Sequence, residues 1–295
     1  MGAAEGAGTV AGVAAPAWFD ELALPAEGPP WLSMGLARGD DAGWLTVDER
    51  RDEELAERHR LLAERHDEVF AALPGTEAAG AETLALVSEW LAEHRPDLAS
   101  IAPPGGLHPL EAAGRLVQED LCLMVERGGR YHLDAACLCF PSHWRLADKL
   151  GHRAADIHGP VPHYADELAE KVDRYLARLR PGVIGVRRNW TVHDSPALFA
   201  PDRPTTTPIG VVDVPTALWL RSERQTLRRL PGSGAVLFTI RVQQAPFAAL
   251  AERPAVAARL AARIEAQPPE LTEMNGLAAH RDQVVGWLGL VAGPT

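Results

Sequence analysis

Apolar positions along this chain follow two rhythms, and the change comes near residue 118. Between residues 48 and 94 the spacing is helical. Leu55, Leu62, Val69 and Leu73 recur at two-turn and one-turn intervals, which places one apolar stripe on one long helix. Asp48 is a good N-cap, the acidic residues after it suit the positive end of the helix dipole, and Pro74-Gly75 is a stop. A second helix is predicted from about Ala78 to His94, with Leu84, Val87 and Leu91 on one face and Pro96 just beyond it. Upstream, Trp31 to Trp44 reads as loop with apolar anchors at Trp31, Leu32, Met34, Leu36 and Trp44.

From residue 118 the rhythm shortens. Leu121 to Val125 is an apolar strand, Gly128-Gly129 a turn, and Tyr131 to Phe140 a second strand, so the pair predicts a hairpin. Pro141 ends it. His143 to Leu150 is predicted to form one short helix closed by Gly151, and Tyr164 to Leu179 an amphipathic one with Leu168, Val172, Tyr175 and Leu179 on one side. Between them, Ile157-His158-Gly159-Pro160-Val161-Pro162 is too interrupted to be helix. Three more strands are predicted over Val183–Val192, Ala217 to about Arg224, and Ala235–Gln243, with a proline-rich loop from Ser195 to Pro208 before the second. After Pro246 the pattern is helical, broken near Pro268-Pro269.

Two strands, a helical crossover and three strands predict an α+β fold: a five-stranded antiparallel sheet flanked by N-terminal and C-terminal helices. The order resembles that of PAS domains, which hold a ligand between the sheet and the crossover helices. The organisation expected is a disordered leader over 1–30, an N-terminal loop and helical layer over 31–117, a PAS-like core over 118–245, and C-terminal helices over 246–295. Composition supports a globular chain. Of 295 residues, 46% are hydrophobic and 23% charged, enough to bury a core without disulfides. The net charge of −11 disfavours nucleic-acid binding. No apolar run is long enough to span a bilayer, and three irregularly spaced cysteines suggest a reducing, cytoplasmic setting.

Candidate chemistry gathers in the crossover. His143, His152, His158 and His163 fall close together at spacings that match no zinc motif, so a single axial imidazole ligand is easier to accommodate than a cage. His158 sits before a rigid Gly-Pro-Val-Pro turn; its plainer role would be to cap the helix near Tyr164. His143 lies in Phe140-Pro141-Ser142-His143-Trp144-Arg145, where Trp144 beside Arg145 would wall an aromatic cofactor and pair with its carboxylate. Cys137 and Cys139 share a strand face, with Cys122 on the hairpin partner; they read either as thiolate ligands or as inert buried residues. Two arginine clusters follow, Arg187 to Asp194 and Leu220 to Pro231. Alternation puts Arg187 with Asn189 and Arg221 with Glu223, facing either a ligand or solvent. No phosphate-binding glycine loop or nucleophile elbow is present.

These segments resemble one family. Gln118-Glu119-Asp120-Leu121, Cys139 to Trp144, Lys149-Leu150-Gly151, Ile157 to Pro162, Asn189-Trp190, Arg221 to Pro231 and Phe238 to Arg241 are similar, in order, to the haem-binding family typified by the alpha subunit of haem-dependent oxidative N-demethylase. The resemblance implies a PAS-like core holding haem b, and an enzyme that oxidises a secondary amine such as dimethylamine with O2. It also implies electrons from a separate flavin and iron–sulfur reductase. His158 is the expected iron ligand, with His143 second. Arg187 and Arg224 would meet haem propionates or dioxygen, Asn189 and Arg221 would line the cofactor, and Glu223 or Asp194 would attract an ammonium group or relay protons. A haem or gas sensor on the same fold, and a biosynthetic haem oxidase acting on a larger nitrogen-containing metabolite, are the alternatives. The family's tyrosine–lysine pair near the C-terminus is replaced here by Met274-Asn275-Gly276.

Overall fold

The computed structural model describes residues 13–24, 34–99, 102–159, 162, 164, 168–203 and 207–293. Trp31, Leu32 and His163 lie outside them. Its centre is an antiparallel sheet of seven strands in the order β1-β5-β6-β7-β3-β4-β2. The strands are β1 (Ala37–Gly39), β2 (Phe70–Ala72), β3 (Asp120–Arg127), β4 (Arg130–Cys137), β5 (Ile184–His193), β6 (Trp219–Arg229) and β7 (Val236–Pro246). All five strands expected from alternation are present and contiguous. The count of five is corrected to seven by two three-residue strands that close the edges. Each is too short to show a period of its own. The β3–β4 hairpin turns on Gly128 and Gly129, both at positive φ (61° and 79°), the conformation glycine adopts at least cost.

The helices are α1 (Arg51–Glu64), α2 (His66–Val69), α3 (Glu77–His94), α4 (Pro109–Gly114), α5 (Ala154–Ile157), α6 (Ala169–Arg178), α7 (Val214–Ala217), α8 (Pro254–Ala266), α9 (Pro269–Met274) and α10 (Arg281–Ala292). The single long helix expected from Asp48 to Leu73 is instead α1, a break at Arg65, α2 and then β2. The Phe70–Ala72 backbone pairs with β4, and that pairing overrides the helical spacing of Val69 and Leu73. Asp48 is not the N-cap, although its carboxylate accepts the Arg50 N–H at 3.1 Å. The helix expected from His143 to Leu150 reduces to one 3-10 turn at Leu146–Asp148.

The sheet is covered on both faces, which is why β7 is buried along almost its whole length. The crossover between β4 and β5 lies over one face, where Cys122, Met124, Ile240 and Val242 join Leu146, Leu176 and Leu179 in one apolar cluster. The opposite face has two covers. Residues of the α3–α4 layer pack on Leu121, Leu123 and Leu237, and the C-terminal helices pack on Trp190, Val192 and Leu220. Trp18 and Phe19, inside the span expected to be a disordered leader, are buried in that second cover. Each such ring removes roughly 150–250 Å2 from water, so the segment adheres by burial, not by sheet pairing.

Candidate functional site

Register fixes which side chains share the crossover face. Arg187, Asn189, Thr191 and His193 on β5 stand opposite Gln225, Glu223, Arg221 and Trp219 on β6, and paired residues point the same way. The upper end of this row is the wall of a half-open space of about 90 Å3, bordered by His158, Tyr164, Arg187, Gln225, Leu227 and Phe238, with α6 above it.

His158 is placed by the short helix α5. It is the C-cap residue, its N–H bonds to the Ala154 carbonyl at 3.3 Å, and its Nδ1 donates to the same oxygen at 2.7 Å. That second bond fixes the tautomer and leaves Nε2 as the nitrogen with a free lone pair, the arrangement of a metal-binding imidazole. The ring stacks on Tyr164 at 4.6 Å. His158 is exposed at the mouth, yet the protein packed around it desolvates the ring and lowers its pKa, which favours the neutral form. Lys149 donates to the neighbouring Ile157 carbonyl at 2.6 Å and holds the end of α5 in place. His158 thus caps the end of α5; the start of a helix near Tyr164, which it was expected to cap, lies outside the described residues.

Arg187 faces the same space. Its Nε is buried without a hydrogen-bond partner and, among the described residues, no carboxylate is in ion-pair contact with it. Burial lowers its pKa, opposed by the more distant Glu223 and Tyr164. The Tyr164 hydroxyl is also buried and unpartnered, and desolvation pushes its pKa up to about 12. Below them Glu223 accepts from Asn189 Nδ2 at 3.0 Å and from Gln225 Nε2 at 2.8 Å, while Asn189 Oδ1 accepts the Glu223 N–H. Gln225 and Tyr164 were missed in the sequence. Extending the β6 alternation by two residues would have found Gln225.

The other expected site residues go elsewhere. Arg221 is fully buried, but its guanidinium is taken up by the carbonyls of Phe140 (2.8 Å), Leu198 (3.0 Å), Pro141 and Ala197 (both 3.2 Å). It ties the crossover to the loop after β5 and has no reach left for a cofactor. Asp120 grips the same turn from the other side, accepting the N–H groups of Cys139 (2.8 Å) and Phe140 (3.0 Å) while paired with buried Arg58 at 3.0 Å. Arg224 points to the opposite face, where the Gly43 and Trp44 carbonyls hold it, so it cannot act beside Arg187. Asp194 and His143 border a different cavity at the far end of β5. Trp144 packs into the crossover core, and Arg145 forms a solvent-exposed pair with Asp202 at 2.6 Å in place of a cofactor carboxylate. All three cysteines are buried. Strand β4 ends at Cys137, so Cys139 lies just beyond it, and register sets Cys122 on the face opposite Cys137.

An open antiparallel sheet with His158 and Arg187 on one cavity beneath an apolar crossover defines a protein of the α+β class. The chain matches the family haem-dependent oxidative N-demethylase, alpha subunit-like, over residues 35–285, and it belongs to that family. The family's name denotes haem-dependent oxidation. The residues of the His158 cavity fit that group: a histidine whose Nδ1 is committed and whose Nε2 is the acceptor nitrogen, apolar walls for a macrocycle, and a half-buried arginine with no ion-pair partner among the described residues for an acidic substituent. At about 90 Å3, this space is smaller than the roughly 300–1,000 Å3 usual for ligand pockets. Among the described residues no helix is long and apolar enough to cross a membrane.

Proposed function

We propose that the chain is a haem b-dependent oxidase acting on a small secondary amine with O2, of the oxidative N-demethylation type, on a PAS-like core. The hairpin–crossover–meander order of β3 to β7 supports the PAS-like description, with β1 and β2 as additions. The observation that carries the reading is the His158 ring, whose Nδ1 is committed to Ala154 while Arg187, across the same cavity, has no ion-pair partner among the described residues.

In this reading His158 Nε2 holds the haem iron and Arg187 pairs with a propionate. Bound haem supplies the oxidising chemistry; the protein supplies orientation and exclusion of water. Leu227, Phe238 and Leu176 keep water out. Glu223, oriented by Asn189 and Gln225, is the group on this face able to accept a proton or draw in an ammonium. Electrons come from a separate flavin and iron–sulfur reductase.

Titration of the purified protein with hemin, followed by dimethylamine, O2 and a reductant, tests this. The expected result is a Soret band for the wild type and formaldehyde release, with the band lost or strongly shifted in His158→Ala. A wild type that takes up no hemin, or an unchanged band in the variant, refutes it.

A further inference from the structure

The second cavity, at the far end of β5, is larger than the first, about 190 Å3, and shares no bordering residue with it. Three chain segments converge there: the crossover through His143, the end of β5 with the following loop through Asp194 and Arg203, and the C-terminal layer through Glu273, Gly276 and His280.

Several features mark it as built. His143 adopts φ 60°, an uncommon conformation for a residue with a side chain. The strain is held by its N–H bond to the Ala200 carbonyl at 2.7 Å, and it lays the imidazole flat on His193 at 4.3 Å. His280 borders the cavity, is only 2% exposed, and its Nδ1 has no hydrogen-bond partner. A buried polar atom left unpaired costs roughly 1–3 kcal/mol unless something satisfies it. The segment Met274-Asn275-Gly276 closes this cavity: Asn275 O accepts the Val192 N–H at 2.8 Å, and Gly276 at φ 76° passes so close to the Val192 carbonyl that no Cβ fits.

The bordering charges are two carboxylates, Asp194 and Glu273, and one guanidinium, Arg203. Among the described residues, Arg203 Nη1 donates to the Glu273 main-chain oxygen, at 3.3 Å. Burial and the nearby Arg203 and Arg221 keep His143 neutral by lowering its pKa, so it adds a hydrogen-bond acceptor, not a charge. A simple cation would meet the arginine and a simple anion the two carboxylates. A ligand carrying both signs satisfies each.

We infer that this cavity binds a small zwitterion with an ammonium and a carboxylate, the ammonium at Asp194 and Glu273 and the carboxylate at Arg203. Sarcosine, a secondary amine with a carboxylate, is the probe; dimethylamine and acetate are its two halves. Calorimetric titration of the full chain should show saturable binding of sarcosine, with each half binding at least about tenfold more weakly, equivalent to ~1.4 kcal/mol. Asp194→Asn and Arg203→Gln should each weaken sarcosine by about tenfold or more, and His158→Ala should leave it unchanged. The last comparison separates this site from the haem reading, which fails or stands on the Soret band alone. Three results would overturn the inference: absence of saturable heat with sarcosine, equal binding of either half, or sarcosine affinity unmoved by the Asp194 and Arg203 substitutions.

Discussion

At the scale of single residues, the most informative side chain is Arg221. An arginine on a strand facing an apolar layer invites a ligand assignment, yet here four main-chain carbonyls occupy it. Desolvation pushes its pKa down to about 10, still far enough above neutrality to keep the charge. The planar guanidinium spreads its donors across a fork that spans carbonyls of two separate loops, whereas an ammonium offers three donors from a single point. Arg221→Lys is therefore expected to lower unfolding free energy by about 2–3 kcal/mol, measured by denaturant titration, by stranding buried carbonyls. Strand alternation in the sequence pairs Arg187 with Asn189 and Arg221 with Glu223, but not the two strands with one another, nor does it say which of these residues find partners within the protein. That depends on carbonyls some 24 and 80 residues away in the chain, which no local pattern encodes.

Among elements, α6 forms the roof of the His158 cavity through Val172, Tyr175 and Leu176. It rests on the sheet through Tyr175, whose ring occupies the space above Gly185, where a Cβ would overlap the phenol oxygen. Gly185→Ala should lift α6, seen as faster hydrogen exchange over Ala169–Arg178, and Tyr175→Leu in the same chain should restore protection by giving the methyl room. The amphipathic pattern of this helix was visible in the sequence, as were the five central strands and the C-terminal helices broken at Pro268-Pro269. β1 and β2 were not, because three residues carry no periodicity and their existence depends on the edges they pair with. The residues that signalled the family have separable tasks: Asp120 and Arg221 pin the Cys139–Pro141 turn, Lys149 steadies α5, and His158 and His143 each border a cavity of their own.

For the molecule as a whole, two buried groups give opposing responses to pH. Glu119 is buried beside Thr46, one carboxylate oxygen lacks a partner, and Arg241 is already paired with Asp48 and Glu54. Desolvation raises its pKa to about 6 from an ordinary 4.5, so the folded state holds this proton more tightly than the unfolded one. Its favourable contribution is complete below 4.5 and is lost as pH rises through 6, a change of about 2 kcal/mol. His193 is the reverse. Burial, then Arg221 and His143, lower its pKa to about 2, so protonation favours unfolding as pH falls below 6.5. Relative to the wild type, Glu119→Gln should gain stability at pH 7.5 and lose that gain at pH 4.5, whereas His193→Asn should be less sensitive to acid between pH 6.5 and 4.5. Denaturant titrations at those pH values check both.

Trp18 and Phe19 alter how the polypeptide can be trimmed. Their rings complete the cluster formed by α8 and α10 with Leu277, so the beginning and end of the described chain act as one splint across the sheet. Cutting away the first thirty residues as dispensable would leave two aromatic-sized holes beneath the C-terminal helices. It would also remove Glu21, the acidic partner of Arg188 at 2.6 Å.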